Sequence, residues 1–203
     1  MKIFLYEHDL PNNLNLGESV AIDTETRGLN INRDRLCLVQ LSDGNGDAHL
    51  VQIFARKQKS PNLEALLKDD KVEKLFHFAR FDLAVLTRNV CPVFGPVYCT
   101  KIASKLARTY SDRHGLKELC SELLSVELSK QQQSTDWGAK VLTEAQKKYA
   151  ASDVLFLHKL KEKLNEQLIR EGKLEIANRC FDFLIHRVSL DLLGYQELDI
   201  FHH

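Results

Sequence analysis

The sequence predicts an α/β protein with a mixed sheet flanked by helices, and two observations carry that prediction. Three strand-like segments come in succession, the second and third joined by a glycine-rich turn, and read as an antiparallel meander. After them helical and strand-like segments alternate, as in a sheet whose remaining strands are linked through helices.

Taken in order, residues 3–6 read as an edge strand. Val20, Ala21 and Ile22 form an apolar run into Asp23, the first strand of the meander. Residues 36–41 and 48–53 flank Asp43-Gly44-Asn45-Gly46-Asp47, a hairpin signal. Pro61 opens a helix in which Leu63, Leu66 and Leu67 recur at helical spacing. A strand over 74–78 leads into a helix with Leu83, Val85 and Leu86, and a strand over 97–100 precedes a helix to about residue 110. His114-Gly115-Leu116, with Leu119, Cys120, Leu123 and Leu124, starts another amphipathic helix. Residues 129–140 are polar and read as a loop. One long helix is expected from 143 to about 172, and a last helical segment from 174 to 195.

At 203 residues with 44% hydrophobic content, the chain has the material for one well-packed domain. The expected division is a main domain over 1–173 and a helical segment over 174–203, part of that domain or an oligomer interface. Lys plus Arg and Asp plus Glu are equal at 28 each, without the basic excess of a protein that grips long duplexes. Five scattered cysteines with no Cys-x-x-Cys spacing argue against a disulfide framework and a structural zinc site, and a cytoplasmic protein is expected. Glu7 and Asp9 interrupt the apolar start, unlike a secretory signal, and no run is long enough to span a bilayer.

The chemistry concentrates in three acidic islands: Ile22-Asp23-Thr24-Glu25-Thr26, His77-Phe78-Ala79-Arg80-Phe81-Asp82 and Tyr149-Ala150-Ala151-Ser152-Asp153. Strand periodicity points Asp23 and Glu25 to one face and Thr24 to the other. Tyr149 and Asp153, four apart in a helical pattern, share a helix face. Each island alone has an ordinary explanation: a solvent-facing strand pair, a helix-start carboxylate, a surface i,i+4 pair. Jointly they suggest four carboxylates converging on a pocket, where mutual repulsion calls for cations between them. Oxygen ligands suit hard divalent ions, two Mg²⁺ or Mn²⁺.

This order of motifs resembles the DEDD superfamily of 3′-to-5′ exonucleases, with an Asp-x-Glu strand, an Asp opening a helix and a Tyr-x-x-x-Asp helix. Tyr149 sits four residues before Asp153, so the chain looks like the tyrosine (DEDDy) branch, which is ribonuclease D-like. The resemblance implies the ribonuclease H-like fold and a two-metal hydrolysis of phosphodiesters. Asp23 would bridge the metals, Glu25 and Asp153 complete one site and Asp82 hold the second, with Tyr149 orienting or deprotonating the attacking water. It further implies that Leu29, after Gly28, acts as a wedge against terminal bases, and that Thr24, His77, Lys130 and Trp137 lie at the substrate. For several of these a structural role stays open: a backbone hydrogen bond for His77, a solvated surface for Lys130, a core anchor for Trp137. The compact length, without room for added helical RNA-binding domains, resembles most the nanoRNase C family of stand-alone oligoribonucleases. That likeness implies short single-stranded RNA as substrate, with longer RNA or DNA, or a silent nucleic-acid adaptor, as alternatives. It also implies a homo-oligomer, an octamer, consistent with the apolar excess of residues 174–195.

Overall fold

Alternating side chains along the strands give each a face for the core and, near the centre of the sheet, a face for chemistry. The computed structural model describes residues 1–129, 131–132 and 135–202. Its sheet comprises β1 (Ile3–Glu7), β2 (Ser19–Thr26), β3 (Leu36–Ser42), β4 (Ala48–Gln52), β5 (Glu73–Phe76) and β6 (Val97–Cys99), in the order β1-β4-β3-β2-β5-β6. β2, β3 and β4 make the expected antiparallel meander, while β1 joins β4, and β5 and β6 extend from β2, all in parallel. The helices are α1 (Pro61–Lys68), α2 (Ala79–Asn89), α3 (Thr100–Ala107), α4 (Leu116–Leu124), α5 (Glu144–Leu155), α6 (Leu157–Arg170) and α7 (Leu174–Leu192).

Both sheet faces are covered, as parallel strands require. Ile22, Val39 and Val51 belong to the main core with residues of α2. Across the sheet, Leu38, Leu50, Leu142, Ala150 and Trp137 form a smaller cluster beneath α5. β2 therefore runs between two packed layers, with Ile22 and Thr24 facing α2 and Asp23 and Glu25 facing α5.

Beyond shifts of one to three residues at the ends of β1, β3, β4, β6 and α7, three differences from the sequence expectation have a local reason. β5 ends at Phe76, because Phe78 takes a left-handed backbone (φ 71°) that no strand accommodates and that turns the chain directly into α2. The helix expected to residue 110 stops at Ala107, where the fully buried Arg108 turns inward to donate to Ser104 Oγ (3.0 Å) and the Arg113 carbonyl (2.9 Å). The long helix over 143–172 is two helices, α5 and α6, broken at Phe156 (φ −108°, ψ −4°). No glycine or proline marks that break; α5 packs on β2, β3 and β4, whereas α6 lays Leu157, Leu160, Leu164 and Leu168 against α3, α4 and β5. One straight rod could not serve both surfaces.

α7 packs against α2, β6 and α3. Arg80 of α2 fastens it by donating Nε and Nη2 to the two carboxylate oxygens of the buried Asp191. The five cysteines are free thiols. Among the described residues no helix is long and apolar enough to cross a membrane.

Candidate active site

The strand that supplies the first two carboxylates is central, so its open end lies where several elements converge. Asp23 and Glu25 are both half-buried on β2, opposite Gln40 and Leu38 of β3. The register shifts between Glu25 and Thr26, releasing the chain into the loop that carries Gly28 and Leu29. α5 brings the third island. A capping box between Thr143 and Gln146 fixes its start, and the helix repeat then places Tyr149 and Asp153 on one face. Carboxylate oxygens of Asp23, Glu25 and Asp153 lie within 4.8 Å of one another.

Asp82 arrives from the other layer. It stands in the first turn of α2 and is almost wholly buried. The left-handed turn at Phe78 lets this happen, with only His77 and Phe78 between β5 and the helix. Thr24, on the α2 face of β2, donates its hydroxyl to Asp82 Oδ1 at 2.6 Å. Thr24 borders the cleft, but its hydroxyl is committed to that carboxylate.

The electrostatics follow from burial and crowding. Desolvation pushes Asp23 up to about 7. Glu25 rises to about 10, first by desolvation and then by repulsion from Asp23, Asp153 and Asp82. Asp82 and Asp153 are likewise raised well above the ordinary carboxylate range by burial and by Asp23. A group of carboxylates that retains protons so strongly is one whose negative charge lacks compensation. Oxygen donors at this spacing fit hard divalent cations, which supply that compensation and polarise a phosphoryl oxygen when bound. Burial, then Asp153, Glu25 and Asp23, also raise Tyr149, whose phenol hydrogen-bonds to Asp153 and so stays protonated.

These residues floor a cleft of about 640 Å³ that also includes Gly28, Leu29, His77 and Trp137. Leu29 is 83% exposed, an apolar side chain held out over the floor. A Cβ at Gly28 would press on the Asp34 carboxylate, which accepts from the Asn30 N–H, so any larger residue there would have to displace that side chain. Trp137 is buried, its ring 6.0 Å from that of Tyr149, so it anchors its loop while bordering the cleft. His77 Nδ1 lies 2.9 Å from Thr100 Oγ1. The Thr100 hydroxyl is within donating distance of the Phe76 carbonyl (3.2 Å), which leaves Nδ1 as the donor to it. Burial, aided by the Lys101 cation, lowers His77 to about 3, so the ring is neutral. Lys130 lies outside the described residues.

Several lining residues were not anticipated from sequence. Arg27, Lys101 and Lys117 place cations around the acidic floor, and Phe78 presents an exposed ring with Lys101 Nζ 4.3 Å from its centroid. Arg27 follows the first island directly, and Lys101 follows β6 at the start of a helix; basic residues at the carboxyl ends of strands were the available signal. Negative floor and positive rim together suit a phosphodiester whose backbone meets the rim while its scissile group meets the floor.

A family model described as 3′-5′ exonuclease matches residues 7–169. The chain belongs to this 3′-5′ exonuclease family. Within it, ribonuclease D of Acidiphilium cryptum is 33% identical over 156 residues, which are 77% of this chain and 39% of that protein. The chain thus spans about two fifths of the length of that curated relative. Among solved structures of the family, Brucella melitensis NrnC with bound Mg²⁺ is 56% identical with a TM-score of 0.95, covering 100% of both chains. The same Brucella protein bound to pGG is 57% identical with a TM-score of 0.96, covering 100% of this chain and 99% of that one. The ribonuclease H-like exonuclease fold and the ribonuclease D-like, nanoRNase C-type assignment expected from the sequence are therefore those of this family member.

Proposed function

We propose that this chain is a metal-dependent 3′-5′ exoribonuclease that hydrolyses very short RNAs, dinucleotides foremost, to nucleoside 5′-monophosphates. One observation carries the reading: the acidic cluster and its cleft belong to a fold matched end to end by a Brucella protein whose structures hold Mg²⁺ and pGG. Hydrolysis adds water across the terminal phosphodiester; the water oxygen joins phosphorus, and the 3′ oxygen of the preceding sugar leaves with a proton.

Asp23, Glu25 and Asp153 would hold one divalent cation, Mg²⁺ or Mn²⁺, and Asp82 with Asp23 would hold a second. Two such ions, when bound, neutralise charge on the transferring phosphoryl group. Tyr149, kept protonated, orients the attacking water through its hydroxyl instead of removing its proton. Leu29 packs against a base without reading its identity, and Arg27 and Lys101 meet phosphate oxygens. Neutral His77 and buried Trp137 shape the cleft wall.

The exposed apolar residues of α7, Ile176, Phe183 and Ile185, and those that follow it, Leu193 and Tyr195, support a homo-oligomer, an octamer in this reading. The test is product analysis over time with end-labelled RNAs of two to twenty nucleotides and matched DNAs, alongside light scattering. Fastest cleavage of dinucleotides supports the proposal. Faster degradation of twenty-nucleotide RNA or of DNA would replace it with a general exonuclease.

A further inference from the structure

Two neutral side chains on the neighbouring strands β2 and β3 hold two of the four carboxylates, one on each face of the sheet. Thr24 is buried, with 6% of its surface exposed, and its hydroxyl lies 2.6 Å from Asp82 Oδ1. Gln40 is fully buried on β3, paired across the ladder with Asp23, and donates Nε2 to Asp23 Oδ2 at 3.4 Å. The carboxylate dictates which end of the amide faces it, because only the NH₂ can donate. The other end, Gln40 Oε1, is buried without a partner among the described residues. A buried acceptor left unpaired costs about 1 to 3 kcal/mol and calls for a compensating role. Thr24 borders the cleft but spends its hydroxyl on Asp82, and Gln40 is not among the residues that line it.

We infer that Thr24 and Gln40 are positioning residues that fix the carboxylates of Asp82 and Asp23 in the orientation required to receive divalent cations. This rests on the metal-dependent reading above. The choice of residue types follows from electrostatics. A lysine or arginine at either place would orient the carboxylate but also neutralise it, competing with the metal for the same charge. A hydroxyl or an amide orients without supplying a full charge, leaving the cluster's demand for cations intact. The arrangement is also unequal. Asp153 is held by the phenol of Tyr149, but Glu25 has no comparable donor among the described residues, so Asp23 and Asp82 are the carboxylates set by groups with no other task at the site.

The test uses Thr24→Val, which keeps shape and removes the hydroxyl, Thr24→Ser, which restores it, and Gln40→Met, which keeps length and removes the amide. Each full-length protein is freed of metal and titrated with Mn²⁺ by calorimetry, and the Mg²⁺ concentration for half-maximal pGG cleavage is measured separately. Thr24→Val and Gln40→Met should weaken Mn²⁺ binding and raise the Mg²⁺ requirement by about tenfold or more, the usual scale for groups that orient metal ligands, while Thr24→Ser stays near wild type. Should Thr24→Val not fold, Thr24→Ala is read in its place. Wild-type Mn²⁺ isotherms in Thr24→Val and Gln40→Met, or a loss in Thr24→Ser equal to that in Thr24→Val, would overturn the inference. Because the calorimetric readout does not depend on turnover, it remains decisive even if wild-type protein fails to cleave RNA, a result that would instead defeat the proposed function.

Discussion

Arg80 and Asp191, 111 positions apart, meet through two hydrogen bonds of 2.7 and 2.8 Å, and this pair joins the helix bearing Asp82 to the last helix. Asp191 is 1% exposed and also forms an ion pair with Arg187, so it cannot be rehydrated without undocking α7. Asp191→Ala should cost roughly 2 kcal/mol, the scale of hydrogen bonds to charged groups, part of Arg80 remaining open to solvent. Chemical denaturation checks this; an unchanged midpoint would show that apolar packing alone holds α7.

Glu25→Gln should separate stability from activity. Removing the carboxylate most crowded by its neighbours relieves repulsion in the metal-free protein, so its Tm should rise while cleavage falls by two orders of magnitude or more. Asp23→Asn and Asp82→Asn should also abolish cleavage without unfolding. Thermal melting in chelator and a cleavage assay read the two effects, and an active Glu25→Gln protein would remove that residue from the site.

Folded-state values of about 7 for Asp23 and about 10 for Glu25 exceed the unfolded values near 4, so the metal-free fold binds more protons than the unfolded chain. Its stability should therefore fall as pH rises from 4 through 7 and beyond. His77, lowered to about 3, acts in the opposite sense, but only as pH drops below about 6.5. Between pH 6.5 and 8.5 the carboxylates lead, the lowered His49 and His114 opposing them only at the acid end and the buried, raised thiols of Cys37, Cys91, Cys99 and Cys120 adding in the same sense at the alkaline end. In that window Tm in chelator should decline with pH, and added Mg²⁺ should raise Tm more at pH 8.5 than at 6.5. A flat profile in chelator would mean the carboxylates are not appreciably perturbed.

Tyr149→Phe keeps the ring against Trp137 and removes the hydroxyl beside Asp153. Turnover should drop on the order of 10²-fold with Mn²⁺ affinity little changed. Steady-state kinetics at saturating Mg²⁺ would reveal it, and wild-type kcat would reduce Tyr149 to a packing residue.

Leu29→Ala removes an exposed side chain, so stability should move by no more than about 0.5 kcal/mol. Dinucleotide binding should weaken by about 1 kcal/mol or more if the leucine packs on a base as stacking platforms do. Titration of pGG into a Ca²⁺-loaded protein measures this directly.

What could be read from the sequence was whatever a local period controls. Asp23 and Glu25 declared a shared face because a strand repeats every two residues, and Tyr149 and Asp153 did so because a helix brings i and i+4 together. The meander was legible from its glycine-rich turn. Periodicity also turned Thr24 away from the carboxylates, but it could not say that Asp82 would be waiting on that side, since the meeting spans 58 positions. The break at Phe156 was equally hidden, because it arises from the different surfaces beneath α5 and α6 and not from a helix-breaking residue. The left-handed turn at Phe78 ran against local expectation too: phenylalanine seldom takes that conformation.

That turn sets unequal tolerances for change in chain length. With only His77 and Phe78 between β5 and α2, inserting or deleting a single residue there would swing the helix by about 100° about its axis and carry Asp82 off its bearing on Thr24. The stretch from α4 to α5 spans residues 125–143, and α5 has its own capping box to restart it. Length variation among descendants of this chain should therefore collect in that stretch and be purged from the two-residue joint, even though both border the same cleft.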